Sequence, residues 1–122
     1  MSRVLVADDA RFMRELIREI IEPEGFEVVG EATDGQEAVD TFQKVQPDLV
    51  TMDVVMPKRS GIDAVKEIVA RAPDARIVMC SALGQESLVM EALQAGALDF
   101  IVKPFKPDAV LSTLRKVAEK EL

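Results

Sequence analysis

Five short apolar segments alternate with five stretches of helical periodicity along this chain of 122 residues. The apolar segments are 3–7, 26–32, 49–53, 76–80 and 99–102, and the helical stretches begin near residues 12, 35, 61, 84 and 107. Regular alternation of this kind is typical of a parallel sheet covered by helices on both faces. The predicted fold class is therefore α/β, a five-stranded parallel sheet in a three-layer sandwich. The whole chain, 1–122, is predicted to form one domain.

Charge and composition exclude several classes of function. The 15 basic and 22 acidic residues give a net charge of −7, which opposes direct binding to nucleic acid. No apolar run approaches the roughly 20 residues of a membrane span, and we expect no signal peptide because the strand pattern begins at Arg3. Cys80 has no disulfide partner, so we expect a protein of the reducing cytoplasm.

Polar side chains stand where four of the apolar segments end. Asp8 and Asp9 follow the first segment, Asp53 closes the third, and Ser81 and Lys103 follow the fourth and fifth. Ligands of open parallel sheets gather at the carboxyl ends of the strands, so these side chains are predicted to converge if the strands are neighbours. Three carboxylates repel one another unless a cation neutralises them, and oxygen ligands suit Mg²⁺.

The same residues fit the transfer of a phosphoryl group to a carboxylate. Asp53 would be the nucleophile, and Lys103 and the ion would offset charge on the transferring group. Simpler interpretations remain open at this point. Asp9, Asp53 and Ser81 could each cap a helix, and Phe100 could be an ordinary core residue of a strand.

The motifs around these residues resemble the receiver domain of bacterial response regulators, and within that family the stand-alone CheY-like chemotaxis regulators. They are Val6-Ala-Asp-Asp9, Met52-Asp-Val-Val-Met-Pro57 with Gly61, Cys80-Ser-Ala82, Ala95-Gly96-Ala97 and Phe100-Ile-Val-Lys-Pro-Phe105. The resemblance covers the whole chain. It implies a flavodoxin-like (βα)5 fold with the strand order 2-1-3-4-5 and a cis bond between Lys103 and Pro104.

The resemblance also implies the roles of the site residues. Asp53 would be the phospho-acceptor, and Asp9, Asp53 and the backbone carbonyl of Val55 would bind Mg²⁺, with Asp8 acting largely through water. Lys103 and Ser81 would complete the catalytic set, Lys103 by binding the phosphoryl group. Ser81 and Phe100 would form the switch, Phe100 as a rotating aromatic side chain.

The implied function is a phosphorylation-activated signalling switch of a two-component system. A sensor histidine kinase would donate the phosphoryl group, and the activated chain, a cytoplasmic monomer, would bind a flagellar switch protein or another downstream partner. The chain would not be an enzyme in the usual sense, although it would catalyse its own phosphorylation and dephosphorylation. A phosphorelay intermediate, or a receiver excised from a larger regulator, is the alternative.

The partner surface is predicted on the fourth helix, the fifth strand and the fifth helix. Apolar residues are in excess there and cannot all face inward; we expect Val89, Leu93, Phe100, Val102 and Phe105 to contribute.

Four features separate the chain from relatives or from competing classes. Val55 and Leu83 are apolar where relatives often carry polar groups, which predicts slow hydrolysis of the phosphoryl group and a separate phosphatase. Phe100 lacks the hydroxyl of a tyrosine. An aspartyl phosphatase would usually place a second aspartate at position 55, and a flavin-binding protein would not begin its first loop with Asp8-Asp9.

Overall fold

The computed structural model describes residues 2–122 and contains a parallel sheet of five strands in the order β2-β1-β3-β4-β5. The strands are β1 (Arg3–Ala7), β2 (Glu27–Ala32), β3 (Leu49–Asp53), β4 (Ile77–Ser81) and β5 (Asp99–Val102). The helices are α1 (Arg11–Ile21), α2 (Gly35–Val45), α3 (Gly61–Arg71), α4 (Glu86–Ala95) and α5 (Pro107–Glu119), with a 3₁₀ turn at Glu22–Glu24. The predicted fold class and strand order are confirmed.

Two apolar clusters pack against opposite faces of the sheet. Successive residues of a strand point to opposite faces, so Leu5 joins one cluster while Val4 and Val6 join the other. The cluster on the Leu5 side is covered by α2, α3 and α4, and the other by α1 and α5. Every residue of β3 and β4 is buried. Burial on both faces explains why these strands are mostly apolar and do not alternate between apolar and polar residues.

Helix ends differ from the sequence interpretation in two places. α4 was predicted to begin at Gly84, but it begins at Glu86 because Gly84 has a φ of 91°, outside the right-handed helical region. Asp9 does not cap α1, since Ala10 occupies the cap position and the Asp8 carboxylate accepts the Ala10 N–H at 2.9 Å. The predicted cis bond between Lys103 and Pro104 is present.

Among the helices of residues 2–122, none has the length and apolar character needed to cross a lipid bilayer.

Candidate functional site

Four adjacent strands bring the predicted polar residues to one edge of the sheet. β1, β3, β4 and β5 are hydrogen-bonded neighbours, and their carboxyl ends carry Asp8 and Asp9, Asp53, Ser81 and Lys103 in that order. Asp8, Asp53 and Ser81 are buried, whereas Asp9 is exposed. The convergence follows from parallel pairing, because residues that end neighbouring strands lie side by side.

The three aspartates form a cluster of oxygen donors. One carboxylate oxygen from each of Asp8, Asp9 and Asp53 can be chosen so that all three lie within 4.8 Å of one another. Hard carboxylate oxygens are suitable ligands for Mg²⁺, which keeps several waters and therefore needs an open side. The exposure of Asp9 provides that side. The donor set thus fits the predicted ion, with Asp8, Asp9 and Asp53 as the residues that would hold it.

Lys103 joins two of these carboxylates. Its Nζ lies 2.9 Å from Oδ2 of Asp8 and 2.9 Å from Oδ2 of Asp53. Burial opposes the charge on Lys103, but the hydrogen bonds and the negative charges of both aspartates together outweigh burial and raise its pKa. Lys103 therefore remains an ammonium group and acts here as a point charge between two buried carboxylates.

Asp53 is a buried carboxylate whose pKa is raised. Burial raises its pKa, and the negative charge of Asp8 adds to that rise; Lys103 and the N–H of Val55 act in the opposite direction without cancelling it. The Val55 N–H lies 3.4 Å from Oδ1 of Asp53, a long contact that contributes little. Asp53 is consequently a buried anion that is only partly compensated by the protein.

Two capping interpretations are excluded by the local geometry. Ser81 does not cap α4, because Gln85 occupies that position and Ser81 is the last residue of β4. Asp53 does not cap α3, because the hydroxyl of Ser60 accepts the N–H of Asp63 at 3.1 Å. Both residues are therefore available to the site at the strand ends.

A cavity of about 310 Å³ lies between β4, α4 and β5 and extends to Ser81. Phe100 lines it and is 42% exposed, so Phe100 is not an ordinary core residue. The side chains of Val89, Met90 and Val102 complete most of its apolar wall. Ser81 and the ring of Phe100 therefore line the same cavity.

The predicted partner residues divide into three groups by burial. Phe100 and Val102 are exposed, whereas Leu93 and Phe105 are half-buried and pack against the core clusters. Val89 is buried, so its assignment to an exposed surface was wrong: α4 turns Val89 and Ala92 toward the sheet.

Met90, which is 56% exposed, was missed because α4 is apolar on more than one side. A one-sided stripe would have shown which face of this helix is turned to solvent.

Other exposed apolar residues border the site. Val55 and Leu83 are 51% and 89% exposed. Phe12 is 71% exposed, although the apolar residues at 12, 13, 16, 17, 20 and 21 form a helical stripe that predicts an inward position for it. That stripe is centred on Ile17 and Ile21, which are the buried residues of the helix. Phe12 lies in the first turn, at the end of the helix beside the aspartates.

Two arginines near the site were not identified from the sequence. Arg14 donates to the backbone carbonyl of Asp8 at 2.7 Å and pairs with Glu31 at 2.8 Å. Arg59, in the loop after β3, bonds to residues of α2 and α3. Their spacing follows no local pattern, so no sequence signal indicated these contacts.

The chain belongs to the response regulator receiver domain family, whose model matches residues 4–115. It is the receiver domain of a two-component system and is CheY-like. It is 54% identical over 118 residues to the chemotaxis protein CheY of Thermotoga maritima, covering 97% of this chain and 98% of that protein.

Solved structures of relatives have the same fold. The response regulator domain of Thermotoga maritima CheB superposes with a TM-score of 0.92 at 38% identity, covering 100% of this chain and 99% of that one. CheY from Borrelia burgdorferi, solved as a CheX-CheY-BeF₃-Mg²⁺ complex, superposes with a TM-score of 0.92 at 39% identity, covering 98% and 90% of the two chains.

Proposed function

We propose that this receiver domain is a switch that accepts a phosphoryl group from a sensor-kinase phosphohistidine onto Asp53 and then binds a partner in chemotaxis. The observation that carries the proposal is the pairing of Asp53 with Lys103 at 2.9 Å inside a cluster of three carboxylates. The similarity to CheY proteins supports the chemotactic setting.

The chemistry follows from the positions of these groups. A carboxylate oxygen of Asp53 would attack the phosphorus, the bond from phosphorus to the donor nitrogen would break, and the imidazole would leave with its electron pair. Lys103 would exchange one aspartate contact for a phosphoryl oxygen and so offset charge on the transferring group. Asp8, Asp9, Asp53 and the Val55 carbonyl would hold Mg²⁺, which supplies further charge neutralisation when bound.

Activation would use Ser81 and Phe100. The Ser81 hydroxyl would bond to the phosphoryl group, and the ring of Phe100 would move into the cavity between β4, α4 and β5. This would shift a population between two packings, so the phosphoryl group must stabilise one of them more than the other. The Borrelia CheX-CheY complex with BeF₃ and Mg²⁺ supports a regulated contact with a second protein.

Intact-mass spectrometry after incubation with acetyl phosphate tests the proposal. We expect one added phosphoryl group on the wild-type chain with Mg²⁺ and none with excess chelator. Asp53→Asn should remain unlabelled, whereas the matched control Asp74→Asn, which alters an exposed aspartate in a turn, should label like wild type. Equal labelling of Asp53→Asn would show that another residue accepts the group.

A further inference from the structure

The loop that connects β3 to α3, residues 54–60, carries the Val55 carbonyl but is only partly held by the core. Met56 is buried, whereas Val55, Pro57 and Lys58 are exposed. Lys58 also has a φ of 65°, a left-handed conformation that is uncommon for a residue with a side chain. Contacts outside the core must therefore fix the conformation of this loop.

The main chain of Arg59 is one such contact. Its carbonyl accepts the N–H of Gly35 at 2.9 Å, which joins the loop to the first residue of α2. A Cβ atom at Gly35 would overlap that carbonyl, so the close approach requires glycine. The N–H of Arg59 donates to the Pro57 carbonyl at 2.7 Å and tightens the turn.

The side chain of Arg59 joins the loop to both neighbouring helices. Its Nη1 donates to Oε1 of Gln36 in α2 at 2.9 Å and to Oε1 of Glu67 in α3 at 2.6 Å. The Gln36 amide nitrogen donates to Asp40 at 3.1 Å, which orients the amide oxygen toward Arg59. A planar guanidinium group can make both contacts at once, whereas an ammonium group on a flexible stem is less well suited to this geometry.

The Glu67 partner is shared with a second arginine. Arg71 lies 2.9 Å from Oε2 of Glu67, one turn along the same helix, and is 59% exposed. The hydrogen bond from Arg59, followed by the charges of Arg59 and Arg71, lowers the pKa of Glu67 against a smaller opposing effect of burial. Glu67 is thus ionised and paired from both sides, but only Arg59 belongs to the loop.

We propose that Arg59 is a positioning residue for the cation site. Its contacts with α2 and α3 hold residues 54–60, and with them the main chain of Val55, in the conformation that Mg²⁺ binding requires. Arg59 touches none of the three aspartates, so it acts through the loop. The inference rests on the proposed function, because Mg²⁺ is the ion assigned there to this site.

The direction of the change in Mg²⁺ affinity distinguishes a positioning role of Arg59 from a purely electrostatic one. Removing a positive charge from the surroundings of the cluster favours a bound cation by Coulomb attraction. A change of Arg59→Ala that acted only through charge would therefore tighten Mg²⁺ binding. Loss of the loop contacts should weaken Mg²⁺ binding, because an unrestrained loop loses conformational entropy when the ion orders it.

Mg²⁺ titration calorimetry on Arg59→Ala and Arg71→Ala is the test. Both variants remove one positive partner of Glu67, but only the first releases the loop. For Arg59→Ala we expect the dissociation constant to rise about threefold to tenfold, below the 10–100-fold typical of residues that bond directly to metal ligands. Arg71→Ala should bind as tightly as wild type or slightly more tightly.

Three further measurements make the test specific. Amide exchange of residues 54–61 without metal should be faster in Arg59→Ala and unchanged in Arg71→Ala. Gln36→Ala removes only the contact between the Arg59 side chain and α2, so it should weaken Mg²⁺ binding in the same direction even if Arg59→Ala does not fold. Arg59→Lys keeps the charge and should fall between wild type and Arg59→Ala.

The possible failures are distinguishable. If wild type binds no Mg²⁺, the proposed function and this inference are both overturned. If wild type binds Mg²⁺ and Arg59→Ala binds it equally well or better, the positioning role alone is overturned.

Discussion

The ammonium group of Lys103 lies 2.9 Å from Oδ2 of Asp53 and makes a second contact of 2.9 Å with Asp8. One cation thus bridges two buried anions. Within residues 2–122, no other charged side chain forms an ion pair with Asp8 or Asp53. The arrangement is a compromise: it stabilises the two carboxylates at the sheet edge, and it occupies oxygens that a metal ion and a phosphoryl group would also use.

Replacing Lys103 should therefore affect stability and metal affinity in opposite directions. Lys103→Met leaves two buried carboxylates without their cation, so we expect a loss of about 2 kcal/mol in the free energy of unfolding without Mg²⁺. Mg²⁺ should bind more tightly because no ammonium competes for Asp8 and Asp53. Urea unfolding with and without Mg²⁺ measures both effects. Lys106→Met, an exposed control at the end of the same loop, should change neither.

Asp53→Asn should stabilise the metal-free protein near neutral pH. Because burial raises the pKa of Asp53, the folded chain holds a proton there more tightly than the unfolded chain, and ionisation above that pKa costs stability. The variant removes this cost, which we expect to be on the order of 1 kcal/mol. The gain should shrink as the pH falls through the pKa of Asp53, where the wild-type carboxyl becomes neutral.

Urea unfolding at about pH 7.5 and about pH 4 measures the stability difference between Asp53→Asn and wild type. The difference should be smaller at the lower pH, which lies near the ordinary pKa of a carboxyl group. With Mg²⁺ at 100 times its dissociation constant, wild type should gain about 2.7 kcal/mol and the order should reverse. A variant less stable than wild type at neutral pH without metal would show that Lys103 fully compensates Asp53.

The exposed apolar pair Val55 and Leu83 should make the phosphoryl group long-lived. Hydrolysis needs a water held in line with the phosphorus, and neither side chain can hydrogen-bond to it. Val55→Asn and Val55→Asn/Leu83→Glu should shorten the lifetime, each positioning effect being worth about tenfold in rate. Val55→Ala is the matched control, because it reduces bulk without adding a polar group. If Val55→Ala accelerates decay as much as Val55→Asn, exclusion of water by bulk sets the lifetime.

Activation should change amide exchange on the face formed by α4, β5 and α5. Beryllofluoride with Mg²⁺ mimics the phosphoryl group, and movement of Phe100 into its cavity would alter protection between residues 82 and 105. Changes confined to residues 8–10 and 53–61 would contradict the proposed surface.

Met90→Ala should weaken partner binding more than Leu93→Ala, since Met90 is exposed and Leu93 packs against the core.

The site at the strand ends was partly predictable from period and direction. Apolar runs that alternate with helical stripes indicate parallel strands, whose carboxyl ends meet at one edge of the sheet. The strand order that makes Asp8, Asp53 and Lys103 neighbours came from the resemblance. The chemistry of the side chains suggested a phosphoryl acceptor, a phosphate-binding lysine and an Mg²⁺ site, and the resemblance added the roles of Ser81 and Phe100. Phosphorylation, the identity of the ion and a monomeric state stay predictions.

The features that the sequence did not predict depend on tertiary contacts. The phase of α4 decides that Val89 is buried and Met90 exposed, and a helix that is apolar on several sides does not disclose its phase. Phe12 matches the stripe of α1 but lies beside the strand ends, in the first turn. The contacts of Arg59 join residues far apart in the chain, so they follow from the packing of α2 against α3.

Gly61 packs so closely that a Cβ atom would overlap the carbonyl oxygen of Asp53. Any other residue at this position must displace the main chain of Asp53, the proposed phospho-acceptor, or shift the start of α3. In a genetic screen, a lesion at Gly61 would therefore have the phenotype of a lost aspartate although Asp53 is still encoded. Suppressors of such a lesion should be sought at the start of α3, where the helix could withdraw, and not among the residues that bind the phosphoryl group.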